Sequence, residues 1–319
     1  MSKHLKIRFR HFPQDNSRQV LKRLFELVYS CEFTEVEDEN IRVELEITGP
    51  YSGGSDSFET PFATRAARGI LSKTSYGQHL SVRKFATGIT PNPNARVNIW
   101  YTGENERPPY GNWDAFLSFD TKFPSNRNIY FPLWYITSTN LIMSLEKSYW
   151  GREHPTLSEL YSRRKYTPSK KKFACAFFGK NYRFRLHALE ALREIGEVDV
   201  FGQGARRPVE TPSRIAENYK FTLCFENDLY PGYVTEKPIE AYLAGTIPIY
   251  MGIDSERYLN SKAILNLNDF DSASTWLMRI QELQNNIDSY GKVFSEPLLI
   301  KRPDLDDLIL SLRRILFDG

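Results

Sequence analysis

A charged pair, Glu236 and Lys237, lies between two apolar runs, Phe221–Phe225 and Ile247–Met251. The composition of these runs predicts buried strands, and a short helix is predicted between them over Glu236–Leu243. Open α/β sheets bind ligands at the carboxyl ends of their strands, and a helix start that carries a lysine suits an anion such as phosphate. Taken alone, the pair fits equally well a glutamate that complements the helix dipole and a solvated lysine.

Three further positions lie at the ends of predicted strands or at the start of a predicted helix. Glu104 follows the run VNIWY, where a carboxylate can serve as a general base. Arg185 lies near the start of a helix and can contact an anion. Gly202 ends the strand VDVF, and its missing side chain lets a nucleotide approach the backbone. Taken singly, Glu104 also fits a solvated carboxylate and Arg185 a surface arginine, and a GxG pattern is weak evidence.

The composition is that of a globular protein large enough for two domains: 319 residues, 41% hydrophobic and 14% aromatic. A net charge of +3 argues against a broad attraction to nucleic acid or membranes. The three cysteines and five scattered histidines show no zinc spacing, so no metal site is predicted. The basic amino terminus lacks the apolar core of a signal peptide, and no run is long enough to span a membrane. We therefore expect a soluble, cytoplasmic protein.

Apolar runs alternate with amphipathic helical patterns along the chain, which predicts an α/β fold. Periodicity fades between about residues 146 and 172, which is typical of an inter-domain segment. The prediction is two Rossmann-like domains facing a central cleft, residues 1–160 and 161–319, with a final helix free to pack back on the first domain. The basic residues Arg163–Lys165 and Lys170–Lys172 are interpreted as a solvated linker, and Cys175 and Cys224 as buried hydrophobic residues of strands.

The segment CFENDLYPGYVTEKPIEAYLAGTIPIYMG closely resembles the donor-binding signature of the α1,3-fucosyltransferase family. The motifs YTGENE and FLSFD, and the segment FFGKNYRFRLHALEAL, extend this resemblance in the same order and spacing, so that it covers Val97–Gly252. It implies a two-domain GT-B architecture and an inverting enzyme that uses GDP-fucose, with the donor in the second domain and the acceptor in the first. One departure is Leu229–Pro231, which leaves the conformation of that loop and any acceptor contact open.

The resemblance also implies roles for single residues. Glu104 is the candidate general base, and Glu236 would hold the fucose hydroxyls near the developing positive charge, so both are candidate catalytic residues. The candidate donor-binding residues are Asn181, Arg185, Gly202, Asn227, Tyr233, Glu236 and Lys237. In the implied reaction an acceptor oxygen displaces GDP in one step while Arg185 and Lys237 stabilise the departing diphosphate. No cofactor or metal is obligatory, and a divalent ion would at most stimulate the reaction.

The resemblance implies a GlcNAc-containing acceptor glycan of the N-acetyllactosamine type. A core N-glycan or another GlcNAc-containing acceptor, and the linkage position, stay open. Aromatic residues that could stack on its sugars, or simply pack, are Tyr51, Tyr76, Tyr110, Trp113 and Trp134. No nucleic-acid partner is expected, while peripheral contact with an inner membrane and the oligomeric state stay open. The alternatives are a GT-B transferase for another GDP-sugar and a non-catalytic protein that binds nucleotide sugars or glycans. A dinucleotide oxidoreductase fits poorly, because His11–Pro13 replaces the glycine motif after the first strand.

Overall fold

The computed structural model describes residues 4–12, 16–49, 86, 88–168, 171–179, 183–254 and 257–318. A helix predicted from the sequence over Thr64–Ser72 lies outside these ranges. These ranges contain eleven strands and eight α-helices. The strands are β1 (Leu5–Arg10), β2 (Phe33–Glu35), β3 (Val43–Thr48), β4 (Ala95–Thr102), β5 (Ala115–Ser118), β6 (Asn128–Tyr130), β7 (Lys172–Phe177), β8 (Val198–Phe201), β9 (Tyr219–Phe225), β10 (Ile247–Met251) and β11 (Leu265–Asn266). The helices are α1 (Asn16–Tyr29), α2 (Trp134–Thr137), α3 (Arg183–Arg193), α4 (Pro212–Ala216), α5 (Lys237–Leu243), α6 (Ala273–Asn285), α7 (Ile287–Ser295) and α8 (Leu305–Phe317).

The chain divides into two compact units. Among the described residues, the first unit comprises the chain up to Ile136, the segment Asp228–Tyr233 and the chain from Asp304 onward. The second comprises the two intervening stretches. The division therefore falls at residue 136 and not at the expected 160. The reason is that the segment after residue 136 bonds to the second unit: Ser138 and Ser148 both donate to Glu240 on α5, each at 2.6 Å.

Within the described residues, the first unit is built on a six-stranded sheet of order β2-β1-β3-β4-β5-β6, whose neighbouring strands run parallel. The apolar face of α1 is buried as its periodicity predicts. The last helix, α8, contacts α1 through Arg313, whose guanidinium donates to the carbonyl oxygens of Val28 and Leu27 at 2.8 and 2.9 Å. These two carbonyl groups lie in the last turn of α1, where the helix itself offers them no N–H donor. Arg313 of α8 therefore caps the carboxyl end of α1.

The second unit is built on a five-stranded sheet of order β11-β10-β9-β7-β8, again with parallel neighbours. Its core contains apolar residues of β7, β9 and β10 packed against α3, α6 and α7. Cys175 and Cys224 are free thiols at 0% and 1% exposure, which confirms their interpretation as buried hydrophobic residues. The predicted α/β fold, with two parallel sheets, is confirmed.

The interpretation of Arg163–Lys165 as a solvated linker is wrong for Arg164. Its guanidinium lies 3.6 Å from the ring centroid of Tyr242 and 4.0 Å from that of Phe294. It donates to the carbonyl oxygens of Tyr242, Thr246 and Phe294 at 2.6, 3.1 and 3.0 Å. Burial lowers the pKa of Arg164 to about 10, so this side chain is a structural part of the second unit.

Candidate functional site

The loop after β9 carries the predicted donor motif, and the fold places it at the middle of a sheet. β9 lies between β7 and β10, and all three strands run parallel. The carboxyl end of β9 therefore lies at the sheet edge where open α/β folds bind ligands. Helix α5 begins at Lys237 with Glu236 as its N-cap residue, and Pro238 occupies its first turn at no cost in hydrogen bonds. The predicted strand, loop, helix and strand are confirmed.

Arg185 is buried at 3% exposure, so the alternative of a surface arginine is wrong. Its Nη2 donates to the carbonyl oxygen of Phe225 at 2.9 Å and to Oδ1 of Asn227 at 2.8 Å. Two of the predicted donor-binding residues, Arg185 and Asn227, are thus in direct contact. Because these acceptors are neutral oxygens, they orient the guanidinium without cancelling its charge.

Glu226 lies between the two residues that Arg185 contacts, and its carboxylate is fully buried. Its Oε1 accepts from the backbone N–H of Thr235 at 2.8 Å, and its Oε2 accepts from the Thr235 hydroxyl at 2.7 Å. The hydroxyl of Tyr250 donates to Oε1 at 3.3 Å. Burial raises the pKa of Glu226, and the nearby Lys237 ammonium opposes that effect. Glu226 therefore ties the end of β9 to the residues that precede α5.

Lys237 has its ammonium inside this cluster, with its side chain 20% exposed. Its Nζ lies 2.9 Å from Thr235 Oγ1, 3.4 Å from Glu226 Oε2 and 3.6 Å from Glu236 Oε1. Glu236 is itself buried at 6% exposure. The structure thus brings Arg185, Asn227, Glu236 and Lys237 to the same end of the second unit's sheet, as the sequence predicts.

Gly202 follows β8 with a φ of 98°, a conformation that favours glycine. A Cβ built at this position would lie 2.6 Å from the carbonyl oxygen of Phe178, which accepts a hydrogen bond from the N–H of Gly204 at 2.9 Å. The close approach of two backbone segments therefore requires a glycine here. A donor-binding role for Gly202 stays a prediction.

Glu104 lies in the first unit, directly beyond the carboxyl end of β4, and its side chain is half-buried. Its carbonyl oxygen accepts from the Thr102 hydroxyl at 3.2 Å and from the N–H of Glu106 at 2.8 Å, which makes a tight turn. A Cβ at Gly103 would lie 2.6 Å from both the Leu133 side chain and the Tyr101 hydroxyl. The backbone around the candidate base is consequently well defined.

The remaining predicted residues are placed as follows. Tyr233 belongs to the first unit, where it is 1% exposed and packs edge-on against Phe119 at 4.9 Å. Asn181 lies outside the described residues, as do Tyr51 and Tyr76 among the candidate stacking residues. Trp113 and Trp134 are buried in the core at 1% and 0% exposure, whereas Tyr110 is 67% exposed.

Metal binding and membrane insertion can be examined over the same described ranges. There, no group of three or more His, Cys, Asp and Glu side chains is arranged to hold a metal ion. Likewise, no helix that the structure describes combines the length and apolarity needed to cross a membrane.

Two acidic residues of this region were missed by the sequence reasoning. Glu226 is part of the quoted motif, but its burial depends on the packing of three strands. Glu240 is fully buried on α5, where it accepts from Ser138 and Ser148. Burial raises the pKa of Glu240 to about 7, and the nearby Glu236 carboxylate adds to this effect. A glutamate four residues after Glu236 on a short helix, next to apolar neighbours, is the one signal that could have indicated it.

Residues 167–296 match the family model of glycosyltransferase family 10 (fucosyltransferase), C-terminal part. This part of the chain is therefore similar to the fucosyltransferases of that family. The resemblance noted in the sequence motifs is thereby confirmed.

Individual relatives are consistent with the family. The chain is 32% identical over 228 residues to the α-(1,3)-fucosyltransferase FucT of Helicobacter pylori, covering 63% of this chain and 47% of that protein. It is 28% identical over 227 residues to the putative fucosyltransferase R654 of Acanthamoeba polyphaga mimivirus, covering 65% of this chain and 34% of that protein. The matched region thus spans half or less of the length of these relatives.

The fold is similar to crystal structures of an α1,3-fucosyltransferase. One gives a TM-score of 0.67 at 23% sequence identity and covers 99% of this chain and 90% of the other. A second, with GDP-fucose, gives a TM-score of 0.66 at 22% identity, with 99% and 92% covered. These likenesses establish the fold.

Proposed function

We propose that this chain is an inverting α1,3-fucosyltransferase. It transfers L-fucose from GDP-fucose to a hydroxyl of a GlcNAc-containing acceptor of the N-acetyllactosamine type. The match of residues 167–296 to the fucosyltransferase family model supports a transferase, and the GDP-fucose of one similar structure supports the donor. The H. pylori relative supports the α1,3 linkage by its name.

The observation that carries the proposal is the pair of cations at the carboxyl end of β9. Arg185 is held by Phe225 and Asn227, and the Lys237 ammonium is held by Thr235. A departing GDP carries negative charge on its diphosphate, and preorganised cations stabilise such charge without reorganising during the reaction. Two fixed cations therefore suit a nucleotide diphosphate as leaving group.

The two candidate catalytic residues fit a reaction in which the acceptor oxygen displaces GDP in one step. Glu104 takes the proton of an acceptor hydroxyl as the oxygen bonds to the anomeric carbon. The bond from that carbon to the diphosphate breaks, GDP leaves, and the configuration inverts. Glu236 lies beside Lys237 and stabilises positive charge at the anomeric carbon through its carboxylate. The mechanism assigns no step to a metal ion.

The two units take different substrates in this proposal. The second unit binds GDP-fucose through Asn181, Arg185, Gly202, Asn227, Glu236 and Lys237, and Tyr233 is a further donor-binding residue. The first unit supplies Glu104 and the acceptor site. A cytoplasmic location also stays a prediction.

The decisive experiment incubates the chain with GDP-fucose and N-acetyllactosamine, and reads the product linkage by NMR. We expect an α1,3-linked fucose and release of GDP, and calorimetry should detect GDP-fucose binding without acceptor. Binding without transfer to any acceptor in a glycan panel would favour the non-catalytic alternative. A preference for GDP-mannose would favour the transferase for another GDP-sugar.

A further inference from the structure

Asp120 is a fully buried carboxylate at the carboxyl end of β5, in the first unit. Both of its oxygens are bonded to side chains. Its Oδ2 accepts from Nε of Arg107 at 2.6 Å, and its Oδ1 accepts from the hydroxyl of Tyr230 at 2.9 Å. Its backbone is fixed as well, because its carbonyl oxygen accepts from Asn128 Nδ2 at 2.8 Å. Because both carboxylate oxygens and the backbone carbonyl of Asp120 are hydrogen-bonded, Asp120 is a rigid anchor that fixes the positions of its partners.

The first partner, Arg107, lies three residues beyond Glu104 in the same loop. The Glu104 carbonyl oxygen is bonded to Thr102 on one side and to Glu106 on the other. The turn that carries Glu104 thus runs from the end of β4 to Arg107. Asp120 fixes the far end of that turn.

The second partner, Tyr230, lies in the loop Asp228–Tyr233, which leads directly into Glu236 and Lys237. The carbonyl oxygen of Tyr230 accepts from the N–H of Tyr233 at 3.0 Å, and Phe119 contacts both aromatic rings. The Arg107 guanidinium also lies 5.2 Å from the Tyr230 ring centroid. The hydroxyl of Tyr230 therefore ties this loop to the anchor that holds the Glu104 turn.

We propose that Asp120 is a positioning residue of the transfer reaction, and that Tyr230 is the partner through which it acts on the loop Asp228–Tyr233. Asp120 holds the turn of the base through Arg107 and the loop before Glu236 through Tyr230. This inference rests on the proposed function, in which both segments carry reacting groups. A misplacement of a reacting group by about 1 Å costs roughly a hundredfold in rate.

The test compares Tyr230→Phe with a matched control, Tyr219→Phe. Tyr219 likewise donates to a carboxylate, Asp199 Oδ2 at 2.6 Å, but it lies at the amino end of β9 and is buried. Transfer to N-acetyllactosamine gives kcat and KM, calorimetry gives the Kd for GDP-fucose, and thermal unfolding gives Tm. In Tyr230→Phe we expect kcat to fall roughly tenfold to a hundredfold with the Kd unchanged. Tyr219→Phe should keep the wild-type kcat with a similar change in Tm.

A second variant, Asp120→Ala, tests the shared anchor because it removes both acceptor oxygens. Since Asp120 acts on the loop through Tyr230, adding Tyr230→Phe to Asp120→Ala should lower kcat no further. A wild-type kcat in Tyr230→Phe, an equal loss in Tyr219→Phe, or losses that multiply in the double variant would each overturn the inference. If wild-type protein neither binds GDP-fucose nor transfers fucose, the proposed function itself fails. If it does both while Tyr230→Phe is fully active, only the positioning role fails.

Discussion

Replacing Glu240 by glutamine should change how stability depends on pH. The Glu240 carboxylate is buried on α5 and accepts from the Ser138 and Ser148 hydroxyls and from the N–H of Tyr149 at 3.1 Å. Burial is the main cause that raises its pKa from 4.5 to about 7, while the serine hydrogen bonds oppose the rise. Glutamine keeps the size and one acceptor oxygen but carries no charge at any pH.

The magnitude follows from the difference between the two pKa values. Below pH 4.5 both the folded and the unfolded chain hold the Glu240 proton. Between pH 4.5 and about 7 the folded chain keeps it and the unfolded chain loses it, so the free energy of unfolding falls as pH rises. At about 1.4 kcal/mol per pH unit, the total loss is about 3 kcal/mol and is complete above pH 7. The glutamine variant lacks this loss.

Thermal unfolding at a series of pH values between 4.5 and 8 measures the effect. The Tm of Glu240→Gln should rise relative to wild type by several degrees across this range. Glu190→Gln, an amide substitution at an exposed position of α3, serves as the control and should run parallel to wild type. Parallel profiles for Glu240→Gln and wild type would refute the reasoning, because the pH-dependent difference would then have another source.

Three further substitutions test the site and the fold. Glu104→Gln should lower kcat by about 10²- to 10⁴-fold, the usual effect of losing a general base, and calorimetry should show GDP-fucose binding retained. Lys237→Met should weaken GDP-fucose binding roughly tenfold or more, since it removes a charge-assisted contact; unchanged affinity would contradict its diphosphate role. Arg164→Lys should lower the free energy of unfolding by about 1–3 kcal/mol. An ammonium group cannot make all of the guanidinium's hydrogen bonds to the three carbonyl oxygens, nor stack on the two aromatic rings. Denaturant unfolding would detect this loss, and an unchanged midpoint would contradict it.

Local sequence patterns predicted much of the fold. The apolar runs that became β4, β8, β9 and β10 are long enough to show a strand pattern, and each lies within a residue or two of its predicted bounds. Strands β2 and β6 have three residues each, too few for periodicity to be visible. Helix α7 was missed because it follows α6 after a single residue, Asn286, which caps it by accepting from the N–H groups of Asp288 and Ser289.

Burial of charged side chains could not be predicted in the same way. Arg164 lies in a stretch rich in charge and proline, which is typical of a linker, yet its guanidinium is enclosed by Tyr242 and Phe294. These partners are 78 and 130 residues away in the sequence. Arg185 was likewise as compatible with a surface position as with a buried one. Only the folded arrangement of distant elements distinguishes the two.

The same dependence on burial determines the charge at the end of β9. Arg185 and Lys237 bring two positive charges, and Glu226 and Glu236 bring two negative ones when both are ionised. Taken by residue type alone, the cluster is neutral and a poor site for an anion. Burial raises the pKa of Glu226, however, and so weakens its tendency to be charged. A diphosphate close to Glu226 would raise that pKa further, because like charges oppose each other. The raised pKa of Glu226 thus lessens its opposition to an anion, while its hydrogen bonds keep Thr235 and Lys237 in place.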